Sequence, residues 1–309
     1  IINHYIYSIV GDGDLQEGIS SEAASLAGTL GLGKLIYIYD SNNITIDGSN
    51  DLAFTENVAQ RFLAYGWEVI ENIDGNDIKA IETSITKAKN NLNQPSLIIA
   101  NTIIGYGSPN KSGTASVHGS PLGKNEVTLV RKKLKWNNEP FKIPEKILSE
   151  WREIGNKGIK KEMNWNKKYK SKKILLEKIF SNNFYKIFEN EKQNAINALE
   201  PMATRKSSEK ILNVLVEKID NLIGGSADLS GSNNTKTKNH KIIKPGNFKG
   251  NYIHYGVREH AMSGIMNGLA LHSGLIPYGG TFLIFSDYCK PSIRLSALMK
   301  QRVIYVMSH

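Results

Sequence analysis

Two short motifs near the start of the chain combine the glycines and oxygen ligands that a diphosphate–metal site needs. Gly11-Asp12-Gly13 follows one apolar run, and Asn42-Asn43 follows the next, thirty positions after Asp12. Glycines let backbone amides approach a diphosphate, and the start of a helix favours its negative charge. The side-chain oxygens of Asp12 and Asn42, with the carbonyl of Ile44, would suit octahedral Mg²⁺ together with phosphate oxygens and water. Gly-Asp-Gly alone also fits a plain glycine turn in which Asp12 caps the helix.

Alternating strands and helices around these motifs indicate the sheet that would position them. Short apolar runs rich in β-branched residues predict buried parallel strands, and stretches of small residues predict helices packed on a sheet. The sequence predicts strands at 5–10, 34–40 and 95–100, helices at 20–27 and 77–91, and a turn at 11–14. This order predicts a doubly wound sheet, and both motifs would then lie at its carboxyl edge, where ligands usually bind.

A second α/β region follows a segment in which this rhythm fades. Residues 136–198 are rich in Lys and Asn and hold three of the four tryptophans, which predicts a helical linker on the surface. Beyond it the sequence predicts helices at 207–219 and 260–272, strands at 221–225, 251–255 and 303–307, and a glycine turn at 278–281. The predicted fold class is α/β, with two doubly wound, mainly parallel domains at 1–135 and 199–309, both incomplete, joined by the linker.

The composition limits the classes of protein to which the chain can belong. Its 309 residues, 40% apolar and 22% charged, suit two globular domains. No apolar run approaches the roughly 20 residues that cross a bilayer, so no membrane partner is expected. The net charge of +10 lies mostly between Arg131 and Lys192, where lysines alternate with Asn, Ser and Glu. This favours a solvated connector over a nucleic-acid site, and the same charge would also attract small anionic ligands.

The single cysteine and the two ends bear on compartment and completeness. Cys289 has no partner for an internal disulfide, so a reducing, cytoplasmic compartment is expected. The chain begins with Ile1-Ile2 and ends at His309, directly after a predicted buried strand. We interpret it as an internal fragment, which leaves an organellar targeting segment as an open alternative.

The sequence around the two motifs resembles the transketolases, enzymes that use thiamine diphosphate and Mg²⁺. The resemblance comprises residues 11–23, 39–48, 65–67, 102–108 and 116–123. It implies a diphosphate-binding domain at 1–135, with Mg²⁺, or Ca²⁺ or Mn²⁺ in its place, held by Asp12, Asn42 and Ile44. The cofactor contacts that it implies here are Gly11, Asp12, Gly13, Glu17, Asn42, Ile46 and Ile104.

Two residues carry the catalytic roles that the resemblance implies. His118, in Ser116-Val117-His118-Gly119, corresponds to a histidine that handles proton transfer and contacts the substrate; the plainer alternative is a histidine that orders a glycine–proline loop. Glu259, in Arg258-Glu259-His260, corresponds to the acid that faces the aminopyrimidine ring and stabilises its imino tautomer. A carboxyl group in an apolar pocket can stay protonated at neutral pH and donate that hydrogen bond. The alternative for Glu259 is an ion pair with Arg258.

The second half also resembles the pyrimidine-binding domain of transketolases, at 199–309. Arg205 and Ser232 correspond to residues that hold the sugar phosphate, although a surface ion pair and a loop cap are the plainer alternatives. Asp228 corresponds to a residue lining the cofactor and the dimer interface. The remaining positions implied are the ring-packing aromatics Phe282, Phe285 and Tyr288, whose spacing also fits a helical core stripe, and the substrate-contacting His309.

The resemblance implies reversible transfer of a two-carbon ketol unit between sugar phosphates in the pentose phosphate pathway. The donor would be a ketose phosphate such as xylulose 5-phosphate, and the acceptor an aldose phosphate such as ribose 5-phosphate. It also implies a homodimer in which Asp12 and Glu259 of one site come from different chains. Four alternatives remain: dihydroxyacetone synthase, deoxyxylulose-phosphate synthase, a non-catalytic truncated or split subunit, and nucleic-acid binding through the linker. The residues around Glu17, His118 and Ser232 disfavour the second.

Overall fold

The chain forms two compact units in a computed structural model that describes residues 2–180, 185–198 and 201–309. Unit 1 comprises Ile1–Glu17 and Leu32–Lys173, and unit 2 comprises Gly18–Gly31 and Ile174–His309. These bounds differ from the predicted domains, because the helix after Glu17 packs within unit 2. The domain boundaries at 1–135, 136–198 and 199–309 stay a prediction.

The elements alternate between strand and helix through most of both units. The strands are β1 Ile6–Gly11, β2 Leu35–Ser41, β3 Ile44–Thr45, β4 Gly48–Ser49, β5 Glu68–Asp74, β6 Ser96–Asn101, β7 Leu222–Ser226, β8 Tyr252–His254, β9 Ile276–Phe282 and β10 Ile304–Ser308. The helices are α1 Asp12–Gln16, α2 Gly18–Leu30, α3 Val58–Ala64, α4 Ile78–Asn90, α5 Lys124–Lys133, α6 Glu145–Phe180, α7 Tyr185–Ala198, α8 Thr204–Lys218, α9 Ser230–Asn233, α10 Glu259–His272 and α11 Ser286–Leu298. None of the described helices is both long and apolar enough to cross a membrane.

Unit 1 is built on a parallel sheet of four strands in the order β1-β2-β6-β5. Apolar side chains of these strands and of α4 form its core, in which Ile36, Ile98 and Ala88 are fully buried. The register pairs Gly11 with Asp40 and Ser41 with Asn101. Helix α1, which follows β1, and the loops that follow β2 and β6 therefore leave the sheet side by side at its carboxyl edge.

Unit 2 contains a second parallel sheet of four strands, in the order β10-β9-β7-β8. Helices α2 and α10 pack together against one cluster of buried residues, which includes Leu26, Tyr255 and Met262. Helix α8 packs against another cluster, with Leu212 and Tyr278 buried in it. The α/β fold class with mainly parallel sheets is thus confirmed in both units.

The structure corrects two local predictions. Residues 278–281 were predicted as a glycine turn but lie inside β9. Those glycines serve packing, because a Cβ on Gly279 would lie 2.7 Å from the sulfur of Met266. The turn predicted at 11–14 is instead the start of the short helix α1, which begins directly after β1. In the described part of the predicted linker, α6 runs for 36 residues and α7 spans Tyr185–Ala198.

Candidate functional site

Asp12 lies where β1 passes directly into α1, and its carboxylate is held by two donors. The residue is buried, with 3% of its surface exposed. Its Oδ2 accepts the backbone N–H of Asn43 at 3.1 Å, and its Oδ1 accepts the hydroxyl of Tyr39. Burial, reinforced by the hydrogen bond to Asp12, raises the pKa of Tyr39, so the phenol stays protonated and donates. The predicted link between the Gly-Asp-Gly and Asn-Asn motifs is therefore a direct hydrogen bond.

The alternative in which Asp12 only caps the helix does not fit this geometry. Gly11 occupies the N-cap position, and its N–H is accepted by the side chain of Asp14 at 2.8 Å. The carboxylate of Asp12 is turned instead toward β2 and the loop that follows it. It remains available to a ligand, because each carboxylate oxygen has a second lone pair.

The loop after β2 supplies further oxygen atoms beside Asp12. The side-chain oxygen of Asn42 accepts the N–H of Ile44 at 3.0 Å, and Asn43 adopts a left-handed φ of 61°. Helix α1 leaves space on the other side, because a Cβ on Gly13 would meet nothing within 4 Å. A carboxylate, an amide oxygen and a backbone carbonyl are ligands suited to Mg²⁺. No group of three His, Cys, Asp or Glu side chains suited to a metal occurs in the described part of the chain. The predicted set differs from such a group, because it includes only one of these side chains, that of Asp12.

A third loop, residues 102–123 after β6, carries Ile104 and His118. It starts beside the Asn42 loop, since the N–H of Thr102 donates to Ser41 O at 3.1 Å. The loop folds back on itself where Gly113 N donates to Ile104 O at 2.9 Å. His118 is exposed at the end of a short 3₁₀ turn. Glu17, after α1, and Ile46, after β3, are also exposed, and 77% of the surface of Ile46 is accessible. The predicted diphosphate-side residues thus lie at the end of β1, in and after α1, and on the loops after β2 and β6.

In unit 2, Glu259 is the first residue of α10 and is buried, with 7% of its surface exposed. The guanidinium of Arg258 donates to Tyr255 O at 2.9 Å and to Ser25 Oγ at 3.0 Å, so it braces the loop before the helix. Glu22 accepts the N–H of Ala261 at 2.9 Å. Glu22 belongs to the matched stretch 11–23, but only the fold reveals that it binds the start of α10.

The predicted aromatic wall is a partly exposed row of rings. Phe282 and Phe285 stack with centroids 5.9 Å apart and planes at 19°, and Tyr288 lies 5.9 Å beyond Phe285. His309 packs edge-on against Phe282 at 4.8 Å. Tyr288 is 64% exposed, so the row is not the buried helical core stripe that its spacing also allowed. It is an aromatic surface that extends from the end of β9 into α11.

The predicted phosphate-binding residues lie on two linked elements of unit 2. Arg205 is exposed in the first turn of α8, and Ser232 is exposed in α9. Glu209 on α8 accepts the side-chain amide of Asn234 at 2.8 Å, just after α9. This contact, which we call the Glu209–Asn234 strut, ties the two elements together, and no sequence motif predicted it. Asp228 is exposed between β7 and α9 with φ of 60°.

Comparisons with known proteins agree along the whole chain. The family description "Transketolase, thiamine diphosphate binding domain" matches residues 1–183, and "Transketolase, pyrimidine binding domain" matches 200–309. The transketolase of Nostoc sp. (strain PCC 7120) is 49% identical over 318 residues, and that of Buchnera aphidicola subsp. Acyrthosiphon pisum is 47% identical over 327 residues. Each alignment covers 100% of this chain and 48% of the relative.

Solved transketolase structures also superpose on nearly the whole of this chain. The Campylobacter jejuni enzyme matches with a TM-score of 0.88 at 39% identity, covering 100% of this chain and 48% of its own. The Pichia stipitis transketolase in complex with sedoheptulose 7-phosphate matches with a TM-score of 0.88 at 38% identity, covering 99% of this chain and 48% of its own. The chain therefore spans about half the length of the relatives that it matches. With both of the family's thiamine-diphosphate-binding domains matched and near-half identity throughout, the chain belongs to the transketolase family.

Proposed function

We propose that the complete protein is a Mg²⁺-dependent transketolase. It would move a two-carbon ketol unit from a ketose phosphate such as xylulose 5-phosphate to an aldose phosphate such as ribose 5-phosphate, as in the pentose phosphate pathway. The observation that carries the proposal is the buried Asp12 carboxylate, joined to the Asn42–Ile44 loop through Asn43 N–H at 3.1 Å. That arrangement supplies metal ligands beside a glycine, Gly13, whose surroundings leave room for a diphosphate.

Thiamine diphosphate, when bound, supplies a carbon nucleophile and an electron sink for the transferred unit. Asp12, Asn42 and the carbonyl of Ile44 would hold the metal that neutralises its diphosphate. The Tyr39 phenol would keep the Asp12 carboxylate oriented, because it donates to Oδ1 while Asn43 N–H holds Oδ2. Ile46, Ile104 and Glu17, on the surrounding loops and after α1, would line the remainder of the diphosphate side.

Glu259 would hold a proton at the aminopyrimidine nitrogen of the cofactor. Its burial at the start of α10 keeps its carboxyl group away from bulk water. Glu22 already accepts the Ala261 N–H of the same helix terminus, which leaves Glu259 free for the ring. The aromatic row of Phe282, Phe285 and Tyr288 would pack against that ring. His118, exposed on its loop, would move protons at the reacting carbon.

The sugar phosphate would be anchored by Arg205, Ser232 and His309, since a guanidinium makes forked, charge-assisted hydrogen bonds to phosphate oxygens. The Pichia stipitis relative, described in complex with sedoheptulose 7-phosphate, supports a sugar-phosphate substrate. We also propose a cytoplasmic homodimer in which Asp12 of one copy and Glu259 of the other share a cofactor, with Asp228 at that interface. Dihydroxyacetone synthase is the alternative within the same chemistry, and a non-catalytic split subunit is the alternative outside it.

Calorimetric titration with thiamine diphosphate, with and without Mg²⁺, tests the proposal on this chain and on the complete polypeptide. Binding should require Mg²⁺ and should be lost in Asp12→Ala. The control is Asp47→Ala, which removes an exposed carboxylate from the same region. Ketol transfer by the complete polypeptide should be lost in Glu259→Ala. Absence of cofactor binding in the complete polypeptide would sink the proposal, while binding without ketol transfer would favour the non-catalytic alternative.

A further inference from the structure

The loop that carries His118 is long, and one buried carboxylate accepts several hydrogen bonds from its first half. Glu126, in the first turn of α5, is 7% exposed. Its Oε1 accepts both the Ser108 hydroxyl and the Asn110 N–H, the latter at 2.9 Å. Its Oε2 accepts the side-chain amide of Asn110, also at 2.9 Å. Three donors from residues 108–110 therefore converge on a carboxylate that lies after the loop in sequence.

Lys111 makes a second connection across the same loop. Its ammonium group donates to Leu122 O at 2.9 Å, and its backbone N–H donates to Ser108 Oγ at 3.1 Å. Residues 108–111 are thus tied to 122–126, and the segment between them, with His118 in it, is closed into a ring by side-chain contacts. We call the contacts of Glu126 and Lys111 the loop clamp.

The clamp requires an ionised carboxylate. Hydrogen bonds from Ser108 and Asn110 lower the pKa of Glu126 to about 2, and the positive charge of Lys111 acts in the same direction. The group is therefore charged throughout the physiological range. Hydrogen bonds to an ionised acceptor are stronger than neutral ones. An amide or a methyl group at this position cannot make the same three contacts.

We propose that Glu126 is a positioning residue that holds the 102–123 loop so that His118 is presented to the substrate. The link to His118 rests on the proposed transketolase function, while the ordering of the loop does not. Glu126 acts through the backbone and side chains of Ser108 and Asn110, so it has no contact with the reacting atoms of its own. Its loss should loosen the loop without unfolding unit 1, whose core lies in the sheet.

Hydrogen exchange on this chain tests the clamp. In Glu126→Ala the amides of Asn110 and Lys111 should exchange about tenfold faster or more. The Asn110 N–H loses its charged acceptor, and Ser108, which accepts the Lys111 N–H, loses the carboxylate that holds its hydroxyl. Glu126→Gln, nearly isosteric, should lie between Glu126→Ala and the unmodified chain, and it keeps the test valid if the alanine variant does not fold. Glu139→Gln, an exposed carboxylate beyond α5, should leave both amides unchanged. Unchanged exchange in both Glu126 variants would overturn the proposal.

Kinetics of the complete polypeptide then test the link to His118. Glu126→Gln should lower kcat/KM for ketol transfer by about tenfold in the otherwise unmodified enzyme, and should lower it little further when His118 is already Ala. Equal losses in both backgrounds would show a general structural effect and contradict the positioning role. If the unmodified complete polypeptide transfers no ketol unit, the proposed function fails, whereas the exchange experiment still decides whether the clamp orders the loop.

Discussion

Removing one hydroxyl group should reveal how much the Asp12 carboxylate depends on the hydrogen bond from Tyr39. Tyr39→Phe deletes the phenol that donates to Asp12 Oδ1 and leaves the ring in place on β2. Tyr39 is 4% exposed and Asp12 is 3% exposed, so water has little access to replace the lost donor. The carboxylate would keep the Asn43 N–H at 3.1 Å but lose the bond that fixes its other oxygen.

The expected magnitude follows from the type of bond. A hydrogen bond to a charged group contributes about 1.5–3 kcal/mol to stability. In a buried site water does not replace the deleted donor, so most of that contribution is lost. We therefore expect the free energy of unfolding to fall by about 2 kcal/mol in Tyr39→Phe, measured by urea denaturation. If Asp12 must be oriented to hold Mg²⁺, thiamine diphosphate should also bind about tenfold more weakly, because 1.4 kcal/mol corresponds to a factor of ten.

Tyr37→Phe is the matched control two positions earlier on the same strand. Tyr37 packs its ring against Trp67 at 4.9 Å, and burial alone accounts for the raised pKa of its phenol. Removing that hydroxyl should change the free energy of unfolding by under about 1 kcal/mol, because no buried carboxylate loses its donor. Equal destabilisation in the two variants, or unchanged cofactor affinity in Tyr39→Phe, would refute the reasoning about Asp12.

Three further outcomes follow from unit 2. Gly225→Ala should lower the free energy of unfolding by about 1–3 kcal/mol, measured by denaturation, because its Cβ would lie 2.1 Å from the Tyr255 ring. Burial, helped by a nearby lysine, lowers the pKa of His240 from 6.5 to about 4, so the unfolded state binds more protons between those values and stability should fall as pH drops through that window. Replacing His240 with Gln should flatten that part of the pH profile. Glu209→Gln should raise KM for the sugar phosphate several-fold with little change in kcat, because it weakens the Glu209–Asn234 strut that ties Ser232 to α8.

The sequence predicted that Asp12 and the Asn42–Ile44 loop lie together, because this arrangement follows from the order of the strands. Consecutive parallel strands such as β1 and β2 are neighbours in roughly two-thirds of cases, so Asp12 was expected to lie near the residues after β2. The register that pairs Gly11 with Asp40 and the hydrogen bond from Asn43 to Asp12 agree with that expectation. Local pattern and topology were sufficient here.

Residues that act through distant partners could not be found in this way. Tyr39 lies in a strand where an aromatic residue is expected for packing, so its bond to Asp12 leaves no mark on the local pattern. Glu126 is an acidic residue near the start of a basic helix, which indicates an ordinary favourable charge until its three loop donors are seen. Residues 278–281 of β9 were predicted as a turn because glycines fit both a turn and a strand, and the packing of Met266 against Gly279 is seen only in the fold.

Asp12 and Glu259 are each the first residue of a helix, and at both helix starts another acid accepts a backbone N–H group. Asp12 begins α1 after β1, and Glu259 begins α10 after β8. A carboxylate at such a position would ordinarily accept the free N–H groups of the helix terminus. Asp14 accepts the Gly11 N–H at 2.8 Å, however, and Glu22 accepts the Ala261 N–H at 2.9 Å. One N–H group at each helix start is therefore already accepted by another acid, which fits the roles proposed for Asp12 toward a metal and for Glu259 toward a ring nitrogen.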